Sequence, residues 1–240
     1  MHSAVLSANH LLSKELDFMI HGILEYELFG QKVWLTTTTV SLWVVSVLLI
    51  VFALFARRAM KNASDIPGGF QNILEFLGET IENMAQGILG KHAYKFVNYV
   101  GTIFLFILFS NLGGLLGLRN PTADYGVTFA LGIMTFIIVQ YQGFKNRKIR
   151  HITSLFEPTP ILFPLNLIGE IANPISISLR LYANILSGFI MLGLWYGMMP
   201  IITSIGIPAA LHVYCDIFSG CIQTYVFCML TMVYINDKME

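Results

Sequence analysis

Apolar runs long enough to cross a lipid bilayer alternate along this chain with short polar breaks, and the runs set the architecture. Val33 to Phe55 (VWLTTTTVSLWVVSVLLIVFALF) carries no charge and matches the roughly 20 residues that a helix needs to span about 30 Å of hydrocarbon. A break at PGG, Pro67 to Gly69, follows. Phe70, Ile73, Leu74, Leu77, Ile81, Met84 and Ile88 then recur at helical spacing opposite Glu75, Glu79 and Glu82, which predicts an amphipathic helix along a membrane surface. Phe96 to Leu118 and Tyr125 to Gln142 predict a helical hairpin closed by the turn RNPTAD. Two longer runs, Phe163 to Met198 and Ile205 to Asn236, complete the chain. As helices each exceeds about 45 Å, so they are expected to be strongly tilted. Pro174 predicts a kink in the first of them.

The expected fold is therefore all-α and polytopic, with about five membrane-embedded helices plus one surface helix. It divides into an external arm (1–32), a first span (33–55), an amphipathic helix (67–92), a helical hairpin (96–142) and a tilted hairpin (163–236). In SNLGGLLGL, Gly113 and Gly117 have the spacing that lets helices approach closely.

Composition agrees: 55% of the 240 residues are hydrophobic and 12% charged, about half the charged fraction of a soluble domain. Net charge is zero, which offers nothing to a nucleic-acid partner. The distribution of charge sets the topology instead. Ten Lys and Arg residues (57, 58, 61, 91, 95, 145, 147, 148, 150 and 238) fall on one side of the predicted spans and three (14, 32 and 119) on the other. By the positive-inside rule the N-terminus is outside and the C-terminus cytoplasmic. The first thirty residues lack the continuous apolar core of a cleaved signal peptide. Cys215, Cys221 and Cys228 match no zinc or redox spacing and read as reduced packing residues. GILGKH lacks the spacing of a nucleotide loop, so no nucleotide chemistry, cofactor or metal is expected.

Between Leu162 and Ile235 the only charges are Glu170, Arg180 and Asp216. An intramembrane charge is costly and is a functional candidate by default. Asn173, Ser176, Arg180, Asn184 and Ser187 form one helical stripe, and His212, Asp216, Ser219 and Gln223 form another. Glu170 is placed about 15 Å toward the cytoplasm from Arg180, and Asp216 about 10 Å further out than Gln223. An acid on the inner path, a fixed cation and an acid on the outer path describe two half-channels separated by a barrier. The plainer alternative is a structural Arg180–Asp216 ion pair. His212 by itself reads as a packed or interfacial histidine, and Glu157 as a solvated loop residue.

These segments resemble the a subunit of F-type ATP synthases. The matching pieces are NPISISLRLYANILSG, PTADYGVTFALG, SNLGGLLGL, FPLNLIGE and IQTYVFCMLTMVYI, in the family's order over most of the chain after residue 30. The resemblance implies that Arg180 is the essential arginine, with Asn184 and Gln223 as the family's asparagine and C-terminal glutamine. It further implies a ring of c subunits facing the tilted hairpin, a peripheral b stalk, the remaining ATP synthase subunits as partners, H⁺ or Na⁺ as the transported ion, and a bacterial inner membrane. Two positions depart from the best-known bacterial pattern: Phe189 stands where glutamate is common, and Asp216 where some members have histidine. The outer path must then take its acid from the last helix. The runner-up is a stand-alone secondary transporter or channel for an anionic solute, but the paired repeats common in such proteins are not found here.

Overall fold

The computed structural model describes residues 22–28, 31–61, 68–116, 119–147, 161, 163–198 and 207–239. Most of the external arm, Pro67, Gly117, Glu157 and residues 199–206 lie outside the described residues. Within them the chain begins with an antiparallel hairpin, β1 (Gly22–Leu28) and β2 (Gln31–Thr36), in which Glu25 faces Trp34 and Glu27 faces Lys32. The first long helix, α1, therefore spans Thr37–Lys61 rather than starting at Val33. Its start has a local cause: the backbone N–H of Thr39 donates to Thr36 Oγ1 at 3.4 Å, so the Thr36 side chain caps the helix. The apolar run is shared between the end of a strand and a helix, a division that hydropathy alone does not mark.

The amphipathic segment forms α2 (Gly69–Leu89), which a turn at Gly90, with φ of +51°, joins to α3 (Ala93–Leu112). Ile81, Ala85 and Leu89 of α2 are buried against the bundle, whereas Phe70, Ile73 and Phe76 remain exposed. Only the first half of this helix thus presents an apolar surface outward. Helices α4 (Tyr125–Arg147) and α5 (Phe163–Met198) pack antiparallel, since Tyr125 meets Tyr182 edge-on and Gln140 reaches Glu170. The last helix has three parts: α6 (Ile207–His212), a π-helical segment (Val213–Ser219) and α7 (Gly220–Asp237). Val100, Ile107, Leu181, Phe227, Met232 and Ile235 fill the core shared by α3, α5 and α7. Among the described residues five helices are long and apolar enough to cross a membrane, and the protein is a helical multi-pass membrane protein.

Small residues set two helix crossings. A Cβ at Gly132 would sit 2.8 Å from the Pro174 carbonyl oxygen, and one at Gly220 would sit 3.0 Å from Asn111 Cβ. Gly113, expected to serve a helix crossing, instead lies in a 3₁₀ turn (Gly113–Leu116) whose tight neighbour is the Asn120 side chain, 2.8 Å from a Cβ at Gly114. The turn, rather than an interhelical contact, uses these glycines. Pro174 is buried inside α5, where its ring removes the N–H that would have bonded the Glu170 carbonyl.

Candidate functional site

The two polar stripes meet at α5 and the last helix. Asn184 Nδ2 donates to Ser219 Oγ at 2.9 Å, and Ser219 Oγ donates to Asn184 Oδ1 at 3.1 Å. Four residues further along α5, a Cβ at Gly188 would lie 3.3 Å from Cys215 Cβ. The helices are antiparallel, so each step of four along one matches a step of four along the other. Continuing in the opposite direction puts Gln223 level with Arg180.

Arg180 lies exposed on the outward face of α5, flanked by exposed Asn173, Ser176 and Ser187. It makes no hydrogen bond or ion pair with any described residue, so the structural Arg180–Asp216 pair does not form. Asp216 instead faces His212 on its own helix, with Oδ2 2.6 Å from Nδ1. His212 is therefore a partner of Asp216 rather than a lone packing residue. Both belong to the turn around the π-helical segment, a conformation frequent at functional sites.

Gln223, by contrast, is buried, and its Nε2 has no hydrogen-bond partner among the described residues. A buried polar layer behind it fixes α7: Asn111 Nδ2 donates to the Gly220 carbonyl at 3.2 Å and to Thr224 Oγ1 at 3.4 Å. Thr122 Oγ1 donates to Asn111 Oδ1 at 2.8 Å. Asn111 and Thr122 were not singled out from sequence, because a lone Asn or Thr in an apolar run carries no periodic signal.

Ten residues before Arg180, about 15 Å along the helix, Glu170 borders a cavity of about 480 Å³. Gln140 Nε2 donates to Glu170 Oε2 at 2.8 Å, and Lys238 Nζ pairs with Oε1. Asn166, Asn173 and Asp237 line the same cavity. Gln140 comes from α4 and Lys238 from just beyond the end of α7, so only the fold brings them to Glu170. Toward the other end of α5, Phe189 lies beneath the Arg119 guanidinium, 6.0 Å from its carbon to the ring centre. Glu170 and Asp216 thus lie on opposite sides of the Arg180 level.

Among the described residues, Arg180 lies without an ion pair on the exposed face of α5, with Glu170 and Asp216 at levels to either side of it. The profile of the ATP synthase A chain matches residues 39–236. The chain belongs to that family. ATP synthase subunit a, sodium ion specific, of Propionigenium modestum is 37% identical over 224 residues, covering 85% of this chain and 74% of that protein. ATP synthase subunit a of Moorella thermoacetica is 34% identical over 203 residues, covering 84% and 89%. ATP synthase subunit a 3 of Pelobacter propionicus is likewise 34% identical, covering 82% and 85%.

Proposed function

We propose that this chain is the ion-translocating stator subunit of a rotary ATP synthase, with Arg180 as the barrier between two half-channels. The observation that carries the reading is that Arg180 is exposed on the outward face of an apolar helix without an ion pair to any described residue. A guanidinium keeps its charge, and inside a membrane it requires a counter-charge. The partner must then come from outside the chain. A ring of c subunits whose carboxylates pass this face supplies it, and a peripheral b stalk holds the stator against that ring.

A ring carboxylate arriving with its bound ion meets the fixed cation, which favours the ionised form and drives the ion into one half-channel. Rotation carries the emptied site past Arg180 to be reloaded from the other. Asp216 with His212 serves the outer path; Glu170, with the cavity beside it, serves the inner one. Asn173, Ser176, Asn184, Ser219 and Gln223 carry the polar lining toward Arg180. The same positive charge opposes direct passage of a cation from one path to the other. Each elementary charge falling through 100 mV supplies about 2.3 kcal/mol, so several ions per turn add up to the work of ATP synthesis.

The transported ion is H⁺ or Na⁺; one relative is named for sodium-ion specificity, which makes an assay of ATP hydrolysis with and without Na⁺ informative. The membrane is the bacterial cytoplasmic one, with the N-terminus outside. A stand-alone transporter for an anionic solute has no comparable support, as the family match covers most of the chain. Cysteines at Ser176 or Asn184 test the assignment directly. They are expected to crosslink to cysteines beside the ring carboxylate, while a cysteine at the buried Leu181 is not; equal crosslinking from both faces would remove the rotor-facing role.

A further inference from the structure

Both carboxylate oxygens of Glu170 are occupied, one by the Gln140 amide and the other by the Lys238 ammonium. Lys238 follows directly on the last residue of α7, and its side chain is only 15% exposed, against 18% for Glu170. A positive group therefore sits where a cation entering the 480 Å³ cavity would bind. Lysine suits this task, because its compact charge rides on a flexible four-carbon stem and can swing aside. Each carboxylate oxygen keeps a second lone pair, but a cation taking it would sit beside the ammonium and be opposed by that charge unless the ammonium swings away. Gln140 is neutral; Lys238 competes with the cation charge for charge.

We propose that Lys238 is a tethered cation that occupies Glu170 while the cavity is empty, and so sets the monovalent-cation concentration at which this path loads. The inference rests on the reading of Glu170 as part of the inner path. Among the described residues, the other ionisable groups bordering the cavity are Asp237 and Tyr234, both from α7, while α4 and α5 contribute Gln140, Asn166 and Asn173. Asp237 offers a second acid to which the displaced ammonium can move. The ligand class is a single positive charge, H⁺ or Na⁺, and the two are separated by experiment.

The test uses inverted membrane vesicles carrying the whole ATP synthase, which expose the inner path to the medium. The rate of ATP-driven ion pumping is followed against Na⁺ at fixed pH, and against pH without Na⁺. Lys238→Gln and Lys238→Ala are expected to lower the half-saturating Na⁺ concentration several-fold for a Na⁺-coupled enzyme. For a proton-coupled enzyme they move the pH profile upward. Lys238→Arg, which keeps the charge, is expected to stay near the parent value. Unchanged half-saturation in both arms would overturn the proposal, as would an equal shift with Lys238→Arg. So would a lower amount of assembled complex with an unmoved half-saturating concentration, which is what a purely structural ion pair gives. Arg180→Ala in the same vesicles is the control for the functional reading: normal pumping there removes the half-channel account, whatever the Lys238 variants do.

Discussion

Asn184 and Ser219 exchange two hydrogen bonds across the hairpin, at 2.9 and 3.1 Å, and this pair fixes which residues of α5 and α7 share a level. Hydrogen bonds between membrane helices average about 0.6 kcal/mol in double-mutant cycles. Asn184→Leu and Ser219→Ala are each expected to destabilise the protein by about that amount to twice it, and the double variant by less than their sum. Equilibrium unfolding in mixed micelles measures this. Strict additivity would mean that the two side chains do not act together.

Gly132 supports the same hairpin from behind. Alanine normally stabilises a helix relative to glycine by about 1 kcal/mol. Here its Cβ would meet the Pro174 carbonyl oxygen at 2.8 Å and Ser178 Cβ at 3.1 Å, so backbone must move. Gly132→Ala is expected to be destabilising by about 1–3 kcal/mol, the usual range for overpacking, and Gly132→Leu by more. A thermal-unfolding series reads the sign; a stabilised Gly132→Ala would show that α4 and α5 do not approach so closely.

The sequence made the hairpin and its polar stripes legible because helical spacing and the cost of intramembrane charge are local properties. Arg180, Asn184, Ser219 and Asp216 were found that way. Three features were not. The start of α1 at Thr37 depends on a cap and on strand pairing, which an uncharged apolar run conceals. The π-helical segment around Asp216 changes backbone hydrogen bonding without leaving a compositional mark. Lys238 and Gln140 reach Glu170 from residues 68 and 30 positions away, a proximity created only by helix packing.

The two acids are expected to be reached from opposite sides of the membrane. In a background lacking Cys215, Cys221 and Cys228, a thiol reagent that cannot cross the membrane is expected to reach a cysteine at position 216 from outside, and one at 170 from the cytoplasm. Labelling of position 216 from the cytoplasmic side alone would invert the topology. This measurement also tests the positive-inside expectation, which rests on Arg57, Arg58 and Lys61.

Asp216 is expected to act with His212, given their 2.6 Å contact. On the proposed path, where ions would cross two half-channels in series, Asp216→Asn is expected to slow ion transport severalfold in both directions and to leave the ring bound. His212→Ala, which leaves the acid in place, is expected to have a smaller effect. Measured ATP-driven and potential-driven fluxes check both. Unchanged flux in Asp216→Asn would assign that residue to packing.

Coupled ATP synthesis in membranes carrying Arg180→Ala isolates the role of the charge at position 180. The residue is exposed on α5 and contributes no ion pair among the described residues, so its loss leaves the core of Leu181, Phe227 and Met232 intact. Assembly is therefore expected to persist, while ATP synthesis and ATP-driven pumping fall to background. Arg180→Lys is expected to be severely impaired as well, because a compact ammonium replaces a planar, permanently charged fork. Coupled synthesis at the parent rate in an assembled Arg180→Ala complex would contradict the account.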